Sequence, residues 1–155
     1  MSTADIVKEL TEERVDYELV PHEHTERAMD EAAALGVPLR EVGKTLILKG
    51  RTGYVRAVIP ASERLDLHKV RDCLDDQRLR LATEQELTED YPGFELGAVP
   101  PLRGSTADRI LLDHRIAELD QVIVEAGTHE QSLKLRAADL FALTGADLGD
   151  ICADH

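Results

Sequence analysis

Hydrophobic residues follow two different spacings along the chain, and the spacing separates the predicted helices from the predicted strands. Apolar residues recur every three or four positions over residues 3–15, which predicts an amphipathic helix. Residues 16–20 alternate between polar and apolar side chains, which predicts a strand that ends at Pro21. The same patterns predict further helices at 26–36, 66–74, 114–119, 137–145 and from Thr83 onward, and further strands at 44–49, 54–60, 79–82, 109–113, 121–127 and 133–135.

Residues with known end preferences mark several of these helices. Thr25 is placed to cap the helix 26–36, and Gly36 is suited to its C-terminal end. Thr83 and Glu86 have the spacing of a capping box, in which each residue satisfies a backbone N–H group of the other. These signals place helix boundaries more firmly than periodicity alone.

The order of the elements predicts the fold class. The strands 44–49 and 54–60 flank Gly-Arg-Thr-Gly at 50–53, which predicts a β-hairpin. Strands and helices are interspersed elsewhere, without a linker, an internal repeat or a low-complexity segment. We therefore predict one α/β (α+β) domain over residues 1–155, with a mixed central β-sheet and surrounding helices.

Composition narrows the cellular setting. No apolar run approaches 18 residues, so no membrane span is predicted. The first ten residues, MSTADIVKEL, lack the basic start and long apolar region of a signal peptide. Cys73 and Cys152 have neither metal-ligand spacing nor the density of a disulfide scaffold. These features predict a cytoplasmic protein with reduced thiols.

The charge distribution is uneven. The formal net charge is -13, which argues against a long nucleic-acid footprint. Residues 40–59, however, carry five cations against Glu41 alone, giving +4 and leaving -17 for the rest of the chain. This basic strip has two interpretations: an exposed hairpin that happens to be basic, or a surface for a small number of phosphate contacts.

Lys44 and a downstream loop are the first candidates for a site. Lys44 begins a buried strand, where a lysine either extends its amine to water or places a cation at the mouth of a cleft. In the loop 91–104, Gly97 permits close backbone approach and Ala98 adds little bulk. Pro100 and Pro101 fix the following backbone. Such a turn is either an ordinary proline-rich loop or a set of backbone donors for a carbonyl oxygen or a water.

The histidines and nucleophiles give weaker signals. His22 and His24 could ligate one metal ion, but no third-ligand pattern accompanies them, and the alternative is that they line a cleft or the surface. The chain has no Gly-x-Ser-x-Gly elbow, P-loop or dinucleotide fingerprint. We predict no metal and no cofactor. A hydrolase without a nucleophile must act on a reactive bond, through a positioned water or through a group of its substrate.

Several segments in a fixed order resemble a known family. They are YELVPHEHT, VGKTLILKG, GYVRAVIPASERLDLHKV, FELGAVPPL and VIVEAGTHEQSLKL. Together they are similar to the YbaK/EbsC-type aminoacyl-tRNA deacylase family, whose domain is also inserted in bacterial prolyl-tRNA synthetases. The resemblance runs from about residue 16 to the end of the chain.

The resemblance implies a partly barrel-like fold and an activity. The implied reaction is hydrolysis of the ester between a wrong amino acid and the 3′ end of a tRNA. Lys44 would hold the terminal adenosine and its phosphate, the backbone of Gly97 and Ala98 would lie near the ester carbonyl, and a ribose hydroxyl of the substrate would assist the attacking water. Substrate contacts are expected from His24, Thr25, Thr45, Pro101, His129 and Ser132.

The sequence departs from the family pattern at two places. Gly97-Ala98-Val99-Pro100-Pro101 stands where many members have Gly-Gly-x-Ser-Pro, and Ser132 stands where some carry an aspartate. Three hypotheses follow. The first is a free-standing deacylase that acts on aminoacyl-tRNA, with an aminoacyl-tRNA synthetase as a candidate partner. The second is a non-catalytic module of the same fold that binds tRNA ends, a synthetase or a small ligand, and the third is a metal-dependent hydrolase built on His22 and His24.

Overall fold

The computed structural model describes residues 3–25, 27–102 and 106–155. Helices and strands alternate as the sequence predicts. The helices are α1 (Thr3–Glu12), α2 (Ala28–Leu35), α3 (Leu67–Leu74), α4 (Glu84–Asp90), α5 (His114–Ala117) and α6 (Ala137–Thr144). The strands are β1 (Tyr17–Pro21), β2 (Gly43–Lys49), β3 (Tyr54–Pro60), β4 (Arg80–Leu81), β5 (Arg109–Asp113), β6 (Gln121–Glu125), β7 (Gln131–Arg136) and β8 (Asp147–Gly149).

The observed helix ends show which of the predicted capping residues are correct. The capping box of Thr83 and Glu86 is present at the start of α4. Gly36 ends α2 in the left-handed conformation, with φ 67°. The prediction that Thr25 caps this helix is wrong: Arg27 is the N-cap residue and makes no side-chain cap, and Thr25 lies two positions earlier, held there by its N–H, which donates to the carbonyl of His129 at 2.9 Å. Glu26, with which that predicted helix begins, lies outside the described residues.

The strands form two sheets. One has three antiparallel strands in the order β1-β7-β6. The other has five strands in the order β4-β2-β3-β5-β8 and is mixed, because β3 pairs antiparallel with β2 but parallel with β5. The predicted mixed α/β fold is confirmed. The short strand β8 was not predicted, since three residues are too few to show a period.

The two sheets approach each other where β2 passes β6. A parallel bridge joins Val42, just before β2, to Ile123 of β6. A Cβ atom on Gly43 would lie 3.0 Å from Cγ1 of Val124, so glycine permits this close approach without a shift of Val124. Apolar side chains from both sheets and from α1 and α6 fill the largest core cluster. The junction gives the partly barrel-like arrangement and fixes the first residues of β2 against the end of β6.

A buried arginine anchors the segment that follows the Gly97 turn. Arg56 of β3 is fully buried, and its Nε donates to the carboxylate of Asp108 at 2.9 Å. Its Nη1 donates to the carbonyls of Pro100, at 2.7 Å, and of Leu102. The hydroxyl of Tyr91 also donates to Asp108, at 2.5 Å. The basic strip is therefore not a uniform exposed surface, because one of its cations is structural.

The two cysteines lie in different surroundings. Cys73 of α3 is exposed, whereas Cys152, close to the C-terminal end of the sequence, is buried in the core cluster beneath α3. Burial is the first cause that raises the pKa of the Cys152 thiol to about 12, and a hydrogen bond to Asp113 adds to it. Among the described residues, no helix has the length and apolar character needed to cross a membrane.

We expect Arg56→Met to destabilise the protein by about 3 kcal/mol or more, because it leaves a buried carboxylate and two carbonyls without their donor. The matched control is Arg109→Met, which removes an exposed pair with Asp147 at 2.7 Å and should cost about 0–1 kcal/mol. Urea unfolding of both variants measures the difference. Equal losses would contradict the structural role of Arg56.

Candidate active site

One cavity brings together most of the residues that the sequence singled out. Its volume is about 410 Å³, and it lies where β2, the loop before α2, the Gly97 turn and the loop after β6 meet. Of the predicted site residues, Thr25, Lys44, Thr45, Gly97, Ala98 and His129 line it. The remaining walls are formed by His22, Arg27, Ala28, Met29, Glu31, Leu46, Ala61, Glu125 and Thr128.

Lys44 supplies an uncommitted positive charge to this cavity. It is exposed at the second position of β2, while Thr45 next to it is half-buried. The Lys44 amine makes no ion pair with any described residue. The other basic cavity residue, Arg27, is paired with Asp30 at 3.1 Å. An anionic group entering the cavity would therefore find Lys44 available.

The Gly97 turn presents one free backbone donor. Gly97 has φ 81°, a left-handed conformation that favours glycine. The Ala98 N–H donates to the carbonyl of Glu95 at 3.0 Å, and the Ala98 carbonyl accepts from Gly127 at 2.9 Å. The Gly97 N–H has no partner among the described residues. The backbone donor available for a ligand is thus that of Gly97 and not that of Ala98.

His129 holds two cavity loops together. Its Nε2 donates to the Leu96 carbonyl at 2.5 Å, and its backbone N–H donates to the Glu95 carboxylate at 3.2 Å. Its own carbonyl accepts from Thr25. Because Nε2 must carry a proton to donate to a carbonyl, the ring tautomer is defined by this contact. His129 therefore positions the Gly97 turn as well as lining the cavity.

Two side chains that line the cavity and one that is buried behind them form a hydrogen-bonded chain. His22 Nε2 lies 2.9 Å from Ser132 Oγ, and Ser132 in turn is hydrogen-bonded to the carboxyl group of Glu31. All three side chains are buried or nearly so. Ser132 is fully buried and does not line the cavity, so it contacts the site only through His22 and Glu31.

The bonds of this chain link three parts of the fold. His22 Nδ1 donates to the Glu23 carbonyl at 2.6 Å, because a carbonyl can only accept. The Ser132 hydroxyl donates its one proton to the Glu31 carboxyl group, and its oxygen lies 2.9 Å from His22 Nε2. The chain therefore ties Glu31 of α2 to β7 and to the loop that follows β1.

Glu125 is the second carboxyl group in the cavity. It ends β6, and the Thr45 hydroxyl and N–H donate to its two oxygens at 3.1 and 3.4 Å. Burial, followed by the nearby Glu31, raises the pKa of Glu125 from 4.5 to about 8. No described cation forms an ion pair with it. A cavity carboxyl that keeps its proton near neutral pH is a common feature of functional sites.

Besides Ser132, two other predicted substrate contacts, His24 and Pro101, do not line this cavity. The His24 ring is half-exposed on a shallow surface depression, 5.5 Å from the His129 ring. Pro101 is buried and is not among the lining residues, and the neighbouring Pro100 is tied to Arg56. In the part of the chain that the structure describes, the one group with metal-ligand spacing is Asp113, His114 and Asp150, where Arg115 already pairs with Asp113.

The sequence reasoning did not find the two cavity glutamates. Glu125 had a signal, since it is an acid directly after a buried apolar strand whose polar end faces the junction with β2. Glu31 had none, because it looks like any other acid on a helix with an exposed acidic face. Only the tertiary fold brings Glu31 to Ser132, which is 101 positions away in the chain.

Comparisons with known proteins agree with the geometry. Residues 22–143 match the family model described as the aminoacyl-tRNA editing domain. A proline–tRNA ligase of Fervidobacterium nodosum is 34% identical over 122 residues, which are 79% of this chain and 21% of the ligase. An Enterococcus faecalis protein with the provisional name Cys-tRNA(Pro)/Cys-tRNA(Cys) deacylase EbsC is 26% identical, over 88% of this chain and 83% of its own. The chain thus spans about a fifth of the ligases it matches.

A solved structure extends the likeness over the whole fold. The crystal structure of a provisionally assigned trans-editing enzyme for prolyl tRNA synthetase has a TM-score of 0.84 and 26% identity, covering 98% of this chain and 97% of that one. A hypothetical protein with a TM-score of 0.88 and 24% identity, covering 96% of this chain and 99% of its own, shares the fold.

The raised pKa of Glu125 predicts a pH-dependent stability difference. Between about pH 4.5 and about pH 8 the unfolded chain loses this proton while the folded protein keeps it, so stability falls as pH rises. Glu125→Gln should therefore raise the free energy of unfolding by about 4 kcal/mol near pH 7.5 and leave it unchanged near pH 4. Urea unfolding at both pH values measures this, with exposed Glu18→Gln as the control. A gain that is the same at both pH values would show that the cause is not ionisation.

Proposed function

The chain belongs to the aminoacyl-tRNA editing domain family, and from that premise we propose that it hydrolyses mischarged aminoacyl-tRNA in trans. The observation that carries the proposal is the meeting of the unpaired Lys44 amine and the free Gly97 N–H in one cavity. A cation and a backbone donor at one site suit a ligand that has a phosphate and an ester carbonyl close together.

The size of the cavity suits the end of a tRNA. A volume of about 410 Å³ is within the usual range for small-ligand sites, about 300–1,000 Å³. It can take a terminal nucleoside and a small amino acid but not a duplex. A footprint confined to the 3′ end is also compatible with a net charge of -13, since the remaining acidic surface need not approach the tRNA.

The proposed reaction needs no protein nucleophile. Lys44 docks the terminal adenosine and its phosphate, and the Gly97 N–H donates to the ester carbonyl as negative charge develops on its oxygen. A ribose hydroxyl of the substrate assists the attacking water. One such preorganised donor contributes about 10²–10³-fold in rate in well-studied enzymes. Orientation of an already activated ester supplies a further share.

Thr25, Thr45 and His129 complete the proposed substrate wall. His129 acts there by holding the Gly97 turn, and Thr45 by holding Glu125. The contact of His24 would be made at the cavity rim, while Pro101 and Ser132 would act indirectly, through the loop backbone and through His22 and Glu31. We extend the proposal to one domain over residues 1–155 that acts in the cytoplasm, with a synthetase as a potential partner.

A non-catalytic binding module is the second candidate, and one observation favours it. The Ala98 N–H is already bonded to the Glu95 carbonyl, so the turn offers one free donor where an oxyanion hole commonly has two. Retention of aminoacyl-tRNA binding with no turnover over a panel of alanyl-, seryl- and cysteinyl-tRNA would select this candidate.

We expect the protein to deacylate at least one tRNA mischarged with alanine, serine or cysteine, and Lys44→Met to lower kcat/KM by about 10- to 100-fold, because a charge-assisted contact to phosphate is lost. Release of the labelled amino acid measures the rate. Lys49→Met is the matched control, since its amine lies over the Tyr54 ring at the other end of β2 and should leave the rate unchanged. No hydrolysis above the spontaneous rate at micromolar protein would end the proposal.

We also expect weak dependence on salt. If only one or two phosphates near the 3′ end are contacted, the logarithm of kcat/KM should fall against the logarithm of salt concentration with a slope between about -1 and -2. In Lys44→Met the slope should be less negative by about one, because one phosphate contact is lost. A slope much steeper than this would mean that the protein grips the tRNA body as well.

A further inference from the structure

The two carboxyl groups of the cavity are not equivalent. Glu31 is committed to the buried hydrogen-bonded chain with Ser132 and His22. Glu125 accepts from the Thr45 hydroxyl and N–H and from its own backbone N–H, which fix the direction of its oxygens but supply no charge. A glutamine could accept from the Thr45 N–H through its oxygen and donate its amide N–H to the Thr45 hydroxyl, without the cost of a buried ionisable group. A carboxyl group at this position is therefore explained if it binds a positively charged group of a ligand.

None of the described cations that line the cavity forms an ion pair with Glu125. Lys44 on β2 and Arg27 before α2 line the same cavity, yet Lys44 pairs with no described residue and Arg27 pairs with Asp30. His129, after β6, donates its Nε2 proton to Leu96. The cavity thus holds an unpaired cation and an uncommitted carboxyl that do not neutralise each other. A ligand with separate negative and positive groups is complementary to this arrangement.

We infer that Glu125 is the specificity-determining residue that binds the free α-ammonium group of the esterified amino acid. The inference rests on the proposed function for the identity of the ligand, and it adds that the substrate must have an unblocked amino group. With the phosphate side of the ligand at Lys44, the ammonium is directed to the end of β6. The amino-acid side chain then faces the small apolar lining residues Ala28 and Ala61.

Binding is coupled to one proton. Near pH 6.5 the free protein carries a neutral Glu125 carboxyl and the ligand carries an ammonium group. Their ion pair forms when Glu125 gives its proton to solvent, and no covalent bond changes. About one proton should therefore be released per ligand bound.

The test uses a stable probe, 3′-(L-alanylamino)-3′-deoxyadenosine 5′-phosphate, which has an amide in place of the ester, and its N-acetyl derivative. Calorimetric titration near pH 6.5, in two buffers with different ionisation enthalpies, measures affinity and proton release. We expect the free amine to bind at least about tenfold more tightly than the N-acetyl probe and to release about one proton. In Glu125→Gln both the preference and the release should disappear, while Glu130→Gln, an exposed acid near the cavity mouth, should keep both.

Each other outcome overturns the inference. Equal affinity of the two probes, a preference that persists in Glu125→Gln, or no binding of either probe excludes Glu125 as the ammonium site. Deacylation assays separate this result from the proposed function: hydrolysis of N-acetyl-alanyl-tRNA at the same rate as alanyl-tRNA removes the inference but leaves the deacylase. A probe preference that depends on Glu125, without any hydrolysis, removes the deacylase but leaves the inference.

Discussion

The close passage of β2 over β6 at Gly43 is the constraint on which the site depends. A Cβ atom at Gly43 would lie 3.0 Å from Cγ1 of Val124, so any larger residue would require Val124 to shift by a few tenths of an ångström and would disturb the crossing. The crossing sets Thr45 beside Glu125 and leaves Lys44 exposed at the edge of the same cavity. Neither contact could form if the two sheets were separated by an ordinary layer of side chains, about 10 Å thick.

A second set of contacts holds the Gly97 turn against this junction. Its carbonyls are bonded by Gly127 and His129 on one side, and the following Pro100 carbonyl by Arg56 on the other. Fixing both flanks lets one backbone N–H remain unpaired without the turn folding back on it. Preorganisation of this kind lowers the reorganisation needed when charge develops on a ligand oxygen. The buried Arg56 therefore connects the stability of the fold to the geometry of the cavity.

The sequence predicted those features of the fold that depend on interactions between residues close together in the chain. The helical and strand periods, the capping box at Thr83 and the Lys44 and Gly97 positions could all be identified, because short-range sterics and hydrogen bonding determine them. Thr25 was assigned to a helix cap because its competing partner, His129, is 104 positions away in the chain. Arg56 was counted as surface charge for the same reason, since only the return of the chain at Pro100 and Asp108 buries it. Residue type alone could not identify these long-range partners.

The cavity chemistry follows from how its protons are distributed. Ser132 is hydrogen-bonded to both His22 and Glu31, so the Glu31 carboxyl already has a partner within the protein. Burial and the remaining proximity of Glu31 then keep Glu125 protonated near neutral pH, at a cost in stability that grows as the pH rises. A fold selected for stability alone would place an amide there. The carboxyl is explained if the site binds a positive charge, because the ion pair then forms only in the complex and the free cavity avoids a buried anion.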